Sequence, residues 1–599
     1  MPEDNQDFHG HNKLNAYNVL RKLQQNIRSN MPAVISGRAM SSFSLQEEPL
    51  PEEAMDTVFV VVYPQNPFVG EPEVRRMRSK DIQPGLVNAR VQMQDSRGVL
   101  ALPDEEGHYM YWVGTPEFDQ VNAFYYTTFT LRMYERYAHR QIPWSFPSAR
   151  ITIDPHVGDL ANAFYNEQEQ LLGFHTYLNQ AGERHSTAQS ADIVTHEAAH
   201  AILDGLRDLY NESFGLGARA FHESFGDISA ILVSLHDDSL IRRLLEWTNG
   251  NLKMSNFITE VAEHLTDELI HSNHSQGHTI YLRNAFNMLV DTPFDDLLYD
   301  SDHPETQLAR QEHNYSRLFT GAVYDILVGI YERLEENNQM PFVALYHARD
   351  IVGHMLMMAI EAGPVGELNF TDMAKAFIAA DTMLYKGRYN AILRYVFDKR
   401  AILPKPIADQ YRDYLKNLPD IRLPDTINNA LSAAMFFEEV VQPDLNIQPD
   451  EPLIPLSTYR NAKGYAFVSY FNSRTILLEG EQFKSYNGIE VDAFGGLTLV
   501  FDKHNRLKSV CYRPVTDTDV EQIKVVITEL IEHDKIVEDL YPPDAHFHDT
   551  PDGLVIPGAP LDKPQGNKLV KYPVIFDEIP DMLSNLKGYL NKWKDQSDS

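Results

Sequence analysis

Residues 192–204, DIVTHEAAHAILD, restrict this chain more than any other segment. His196 and His200 are four positions apart, so on a helix both imidazoles leave the same face, the spacing that sets two nitrogens on one zinc ion. Glu197 stands one step round the helix. It is poorly placed as a third ligand but within reach of a water on the metal. A second helical pattern at 221–230, FHESFGDISA, repeats the four-residue spacing with carboxylates, Glu223 and Asp227. Glu223 could supply an oxygen as third ligand, and Asp227 could accept the proton on the remote nitrogen of a ligand histidine. Two His and one Glu leave a fourth position open. Taken without its partner, each segment has a plainer reading: two histidines on an ordinary helix, and an acidic pair on a solvated helix face.

Composition narrows the donor set. One cysteine, Cys511, in 599 residues excludes an intramolecular disulfide, an all-cysteine zinc site and an iron–sulfur cluster. Any metal must therefore be held by His, Asp or Glu. A formal charge of −33 argues against nucleic acid and against an anionic membrane surface as partners. The first residues lack a basic segment followed by an apolar run, so no signal peptide is expected, and the expected location is the cytoplasm or one reached by non-classical export. The apolar run 58–63, VFVVVY, is too short for a membrane span and reads as a buried strand.

The pattern along the chain implies an α+β protein in several parts. Residues 1–54 form a polar head with one expected helix near 14–29. Strand-like runs follow at 58–63, 86–94, 99–103 and 108–114, interrupted by an aromatic-rich helix near 121–139. From 187 to about 403 the reading is mostly helical, with amphipathic segments at 317–335, 340–361 and 369–381. Pro404 and Pro406 mark a boundary, beyond which strands and turns are expected to return in an extra α/β region, 406–599. There, 466–471 reads as a strand, 497–515 as a hairpin turning near 503–506, and Thr516 as the cap of a helix reaching about 540. The stretch 541–566, rich in Pro, Gly and Asp, reads as irregular.

Several separated segments, in order, resemble the thermolysin-like zinc metallopeptidases, a branch of the gluzincins. HEAAH at 196–200 with ESFGD at 223–227 is similar to that family's zinc signature. NAFYN at 162–166 resembles its substrate-pairing strand edge, and 121–137 its first helix. HNYSRLFTGAVY at 313–324 resembles the segment of its second catalytic histidine, and 369–385 its last helices. Over about 55–405 the resemblance implies a β-rich lobe to about 186, a central zinc helix and a helical lobe. It implies that His196, His200 and Glu223 hold Zn2+. Glu197 would act as general base on zinc-bound water and then pass the proton to the leaving amine. Asp227 would orient His196, while His313 and Tyr210 would donate to the oxyanion. Asn162 and Ala163 would bind substrate main chain and Arg283 a substrate carbonyl. Ile193 and Leu282 would line an apolar pocket for the residue after the scissile bond of a peptide or protein substrate.

The sequence departs from that family in four places. Tyr210 lies one residue nearer the second zinc histidine than the family's tyrosine. Arg310-Gln311-Glu312 replaces the acidic and Gly-Gly residues that usually precede the histidine at 313, leaving Glu312 as a substitute orienting acid. Asp192 matches one calcium ligand, but Ser234 stands where the family has a glutamate, so the calcium site is expected to be absent or reduced. The resemblance starts near residue 55, which leaves no room for the family's inhibitory propeptide. Control is then expected from the head, from 406–599 acting as lid, substrate-docking module or inhibitor-binding module, from narrow specificity or from export. Two other readings stay open. One is a peptidase-derived binding or scaffold protein; the other is a gluzincin aminopeptidase, although the G-x-M-E-N-type segment that grips a substrate amine is missing.

Overall fold

The computed structural model describes residues 57–159, 162–178, 184–261, 283–301, 303 and 306–533, and the residue pairs 561–562, 568–569 and 576–577. The expected helix near 14–29, Leu282, His271, His274 and His278, and all of 541–566 except 561–562 lie outside the described residues. The architecture is mixed α+β.

β1 (Thr57–Val62) and β2 (Glu73–Arg78) form an antiparallel pair. β3 (Val91–Met93), α1 (Pro116–Ala138), β4 (Ile151–Asp154), β5 (Ala163–Asn166) and β6 (Leu171–Phe174) follow. The sheet order is β5-β6-β4-β3, with β5 antiparallel to β6 and the other neighbours parallel. α1 starts five residues before the expected position because Thr115 caps it, accepting from Phe118 N, and Pro116 fills the first turn. The hairpin β7 (Thr176–Leu178) and β8 (Arg184–Ser186) leads into α2 (Ala191–Leu206), buried from Ala191 to Asp204. A helix enclosed on all sides belongs at the centre of a large domain. α3 (Leu216–Ser234) and α4 (Asp238–Thr248) come next, then the short ladder of β9 (Glu260–Val261) with β10 (Arg283–Asn284). The helical part continues through α5 (Glu312–Glu336), α6 (Pro341–Ala362), α7 (Phe370–Tyr385), α8 (Asn390–Lys399) and α9 (Lys405–Lys416).

Three of the four expected N-terminal strands are cut back. The run 86–94 keeps only Val91–Met93, because Asn88 Oδ1 takes the amides of Arg90 and Val91 into a turn. At 99–103 the Ala101 amide bonds the Gln120 side chain instead of a neighbouring strand. At 108–114 the ladder shrinks to one bridge, Val60 with Tyr109. Pro404 and Pro406 do not end the helical part. Pro404 caps α9 and Pro406 sits in its first turn, where a missing N–H costs nothing.

After α10 (Ala430–Phe436) and α11 (Gln442–Leu445), strands return as β11 (Ile454–Arg460), β12 (Ala466–Leu477), β13 (Glu490–Phe501) and β14 (Leu507–Arg513), all antiparallel. α12 (Asp517–Glu532) opens on a capping box of Thr516 and Asp519. β15 (Leu561–Asp562) pairs β16 (Lys568–Leu569), which runs parallel to β13. β17 (Phe576–Asp577) leaves this region and adds to the outer edge of β5. The C-terminal part builds an apolar cluster of its own, between Ile421 and Val510, and also joins the main one. Phe467 and Val500 belong to the same apolar cluster as Val121, Leu318 and Phe377.

Candidate metal centre

α2 and α3 pack side by side, and Gly226 sets how closely. It leaves room for an imidazole: a Cβ there would stand 2.5 Å from Cε1 and Nδ1 of His196. Gly205, near the end of α2, serves a different contact, with the segment that follows α1, where a Cβ would meet the Pro143 carbonyl oxygen at 1.9 Å. Side chains of the two helices therefore meet across a short gap.

Three of them converge. Donor atoms of His196, His200 and Glu223 all lie within 4.8 Å of one another, and all three residues are buried. Glu223 Oε2 is 3.3 Å from His196 Nε2, and Oε1 is 3.6 Å from His200 Nε2. Donors about 2.0–2.1 Å from a tetrahedral zinc stand about 3.4 Å apart. The spacing, the donor types and the burial fit a zinc ion with one further position to fill. Among the described residues this is the group of three or more metal-competent side chains that comes together.

Electrostatics set the same protonation pattern. Burial drives His200 well below the ordinary histidine value, against the pull of Glu223. Burial would raise Glu223, but the imidazoles of His313, His200 and His196 outweigh it and hold the carboxyl well below its usual range. A neutral imidazole facing a carboxylate is the state that binds a metal.

The surrounding groups are ordered. Asp227 Oδ1 lies 3.1 Å from His196 Nδ1, which favours a proton on that nitrogen and leaves Nε2 turned to Glu223. Asp227 is itself gripped by Arg283, whose Nε donates to both carboxylate oxygens at 3.1 Å and whose Nη2 donates to Oδ1 at 3.0 Å. Arg283 therefore meets the centre through Asp227. His313, in the first turn of α5, places Nε2 3.1 Å from Glu223 Oε2, on the rim of the converging set. The Glu312 carboxylate accepts from Arg219 at 3.0 Å. Glu197 and Ile193 are buried on α2. Asn162 and Ala163 are buried at the start of β5, and the Asn162 carbonyl accepts from His175 N, 3.1 Å, and Thr187 Oγ1, 2.9 Å.

Tyr210 is not brought to the centre. It is fully buried, its ring packs edge-on against Phe221, and its hydroxyl donates to the Pro364 carbonyl at 2.9 Å. The groups that act on it electrostatically are Arg207, Cys511 and Asp372, on the side of the C-terminal region. Asp192 sits buried in the first turn of α2, with Oδ1 accepting from the Ile193 amide, and Ser234 ends α3.

A polar group beneath the centre escaped the sequence reading. The His222 ring stacks on His200 with centroids 5.7 Å apart, and its Nε2 lies 3.4 Å from Asp204 Oδ1. Asn211 Nδ2 donates to Asp204 Oδ2 at 3.3 Å and to Glu167 Oε2 at 3.2 Å. The signal was present: Asp204 follows His200 by four residues and His222 directly precedes Glu223.

No protein-family model matches the sequence, and no curated protein matches it either. Among the described residues no helix is long and apolar enough to cross a membrane.

Proposed function

We propose that this chain is a zinc-dependent metalloendopeptidase of thermolysin-like design. The observation that carries the reading is the convergence of His196, His200 and Glu223 on one buried point, with Asp227 behind His196. Zinc held there supplies Lewis acidity to a water and to the scissile carbonyl. Glu197, one residue from the first ligand and buried on the same helix, takes the proton of the attacking water and delivers it to the leaving amine. His313 donates to the oxygen that becomes negative at the tetrahedral stage. Asp227, clamped by Arg283, keeps His196 in one tautomer. The outer edge of β5 pairs with substrate backbone, and Ile193 borders the pocket for the residue after the cut.

The test is a mixed peptide library analysed by mass spectrometry with and without a chelator. Glu197→Gln should retain stoichiometric zinc and lose hydrolysis by roughly 10²–10⁴-fold. Full activity in that variant would sink the mechanism. A second reading, a zinc-holding binding protein without turnover, draws support from Tyr210, because one of the two expected oxyanion donors is engaged elsewhere. That reading predicts zinc content and no cleavage anywhere in the library.

A further inference from the structure

β5 is an edge strand of its sheet: β6 pairs with one side of it, and the other side carries the N–H and C=O groups that an added extended peptide would meet. This edge is next to the metal centre. β5 packs directly against α2, the helix that carries His196 and His200. The edge is covered. β17 lies antiparallel along it, with Phe576 opposite Tyr165 and Asp577 opposite Phe164. The covering strand comes from the C-terminal end of the same chain.

The tail is fastened just before it reaches β5. β16 is hydrogen-bonded to β13, and Leu569 is buried in an apolar cluster with Val491, Ile523 and Ile527. Six residues lie between Leu569 and Phe576, a reach of at most about 25 Å. A two-residue ladder is weak by itself, but a short tether presents it at an effective concentration on the order of 1 mM.

We propose that β17 is a built-in occupant of the peptide-pairing edge, which makes the protein latent until the tail is displaced by substrate or cut free. This rests on the peptidase reading above. It supplies the control that a chain with this site requires, from within residues 406–599. Competition of this kind raises KM and leaves kcat alone. The rise follows the ratio of the tether's effective concentration to the strand's intrinsic dissociation constant, and is about tenfold where that constant is about a tenth of the tether concentration.

The test uses the full chain carrying Phe576→Pro and Asp577→Pro, which remove the two N–H donors of the strand. Hydrogen exchange at Ala163–Asn166 should quicken at least tenfold. KM for a library peptide should fall about tenfold with kcat within twofold. In a Glu197→Gln background, a labelled peptide of residues 572–581 should bind the double-proline protein and not its parent. A protein with a specific protease site inserted within 570–575, folded intact and then nicked, gives the same comparison if the prolines disturb folding. Unchanged exchange at β5, or equal peptide binding by both proteins, overturns the covering strand whatever the activity. Faster exchange with unchanged KM overturns the inhibition. Faster exchange and peptide binding without hydrolysis by any form leaves β17 as the occupant of the edge and overturns the peptidase reading.

Discussion

Gly226→Ala is the sharpest probe of how the two helices build the metal centre. The new Cβ would stand 2.5 Å from Cε1 and Nδ1 of His196 and 2.7 Å from Nε2. Comfortable contact needs about 3.5–4.0 Å, so the ring or a helix must move by about 1 Å. The ring has little freedom, since Nδ1 faces Asp227 at 3.1 Å and Nε2 faces Glu223 at 3.3 Å. Overpacking a rigid core costs about 1–3 kcal/mol, and alanine recovers up to about 1 kcal/mol over glycine inside a helix. Net destabilisation of the metal-free protein should therefore stay below about 2 kcal/mol. Zinc is less forgiving, because ligand distances tolerate only about 0.2 Å, and the affinity should fall roughly 10–100-fold. Zinc affinity is read by competition with a chromophoric chelator, and stability by thermal melting with the metal removed. Gly353→Ala is the control: its Cβ would press on the Tyr137 ring at 2.3 Å, on α6 and away from the metal ligands. It should lower the melting temperature and leave zinc affinity alone. Equal zinc affinity in Gly226→Ala and the parent would refute the argument that this close approach positions His196.

Asp227→Asn should weaken zinc binding roughly 10–100-fold and cost up to about 3–5 kcal/mol, since it removes a carboxylate paired with the buried Arg283 charge. Adding Arg283→Met should restore most of the stability but not the zinc affinity; chemical denaturation and chelator competition separate the two. Tyr210→Phe should change kcat by less than threefold and lower stability by about 0.5–1.5 kcal/mol, because the hydroxyl is bonded to Pro364. A tenfold loss of kcat would restore Tyr210 to the reaction. His236 is pushed down from 6.5 to about 3 by burial, reinforced by Arg349. Below pH 6.5 the unfolded chain takes up a proton that the folded chain refuses until about pH 3. The stabilisation is complete above pH 6.5 and is lost as the pH falls, at up to about 1.4 kcal/mol per unit. Denaturant midpoints for His236→Gln between pH 6.5 and 5 should fall less steeply than for the parent.

Elements with a strong local period were legible in the sequence. The i,i+4 spacings of His196 with His200 and of Glu223 with Asp227 require only a helix, and long helices sit where apolar periodicity put them. Features settled by distant partners were not legible. Tyr210 is one residue nearer His200 than the family's tyrosine, and one residue on a helical path turns a side chain by about 100°. In the observed loop the hydroxyl finds a carbonyl 154 positions away. Arg283 also grips a carboxylate 56 positions back, a pairing that no local pattern registers. The runs at 99–103 and 108–114 have strand composition, but side-chain and isolated backbone partners took their amides, which β propensity does not register.

The shared apolar core ties the C-terminal region to the helical part, with a consequence for truncation. Phe467 and Val500 lie within the main cluster, and Arg310 beside His313 is paired with Glu529 of α12 at 2.7 Å. Arg207, just past the metal helix, donates to the Ile360 carbonyl at 2.9 Å and reaches Ser469 Oγ at 3.5 Å. A cut at 405 would therefore open an oily wound along the helical part and leave a buried guanidinium without one of its acceptors. A core substitution on either side of the seam is felt on the other.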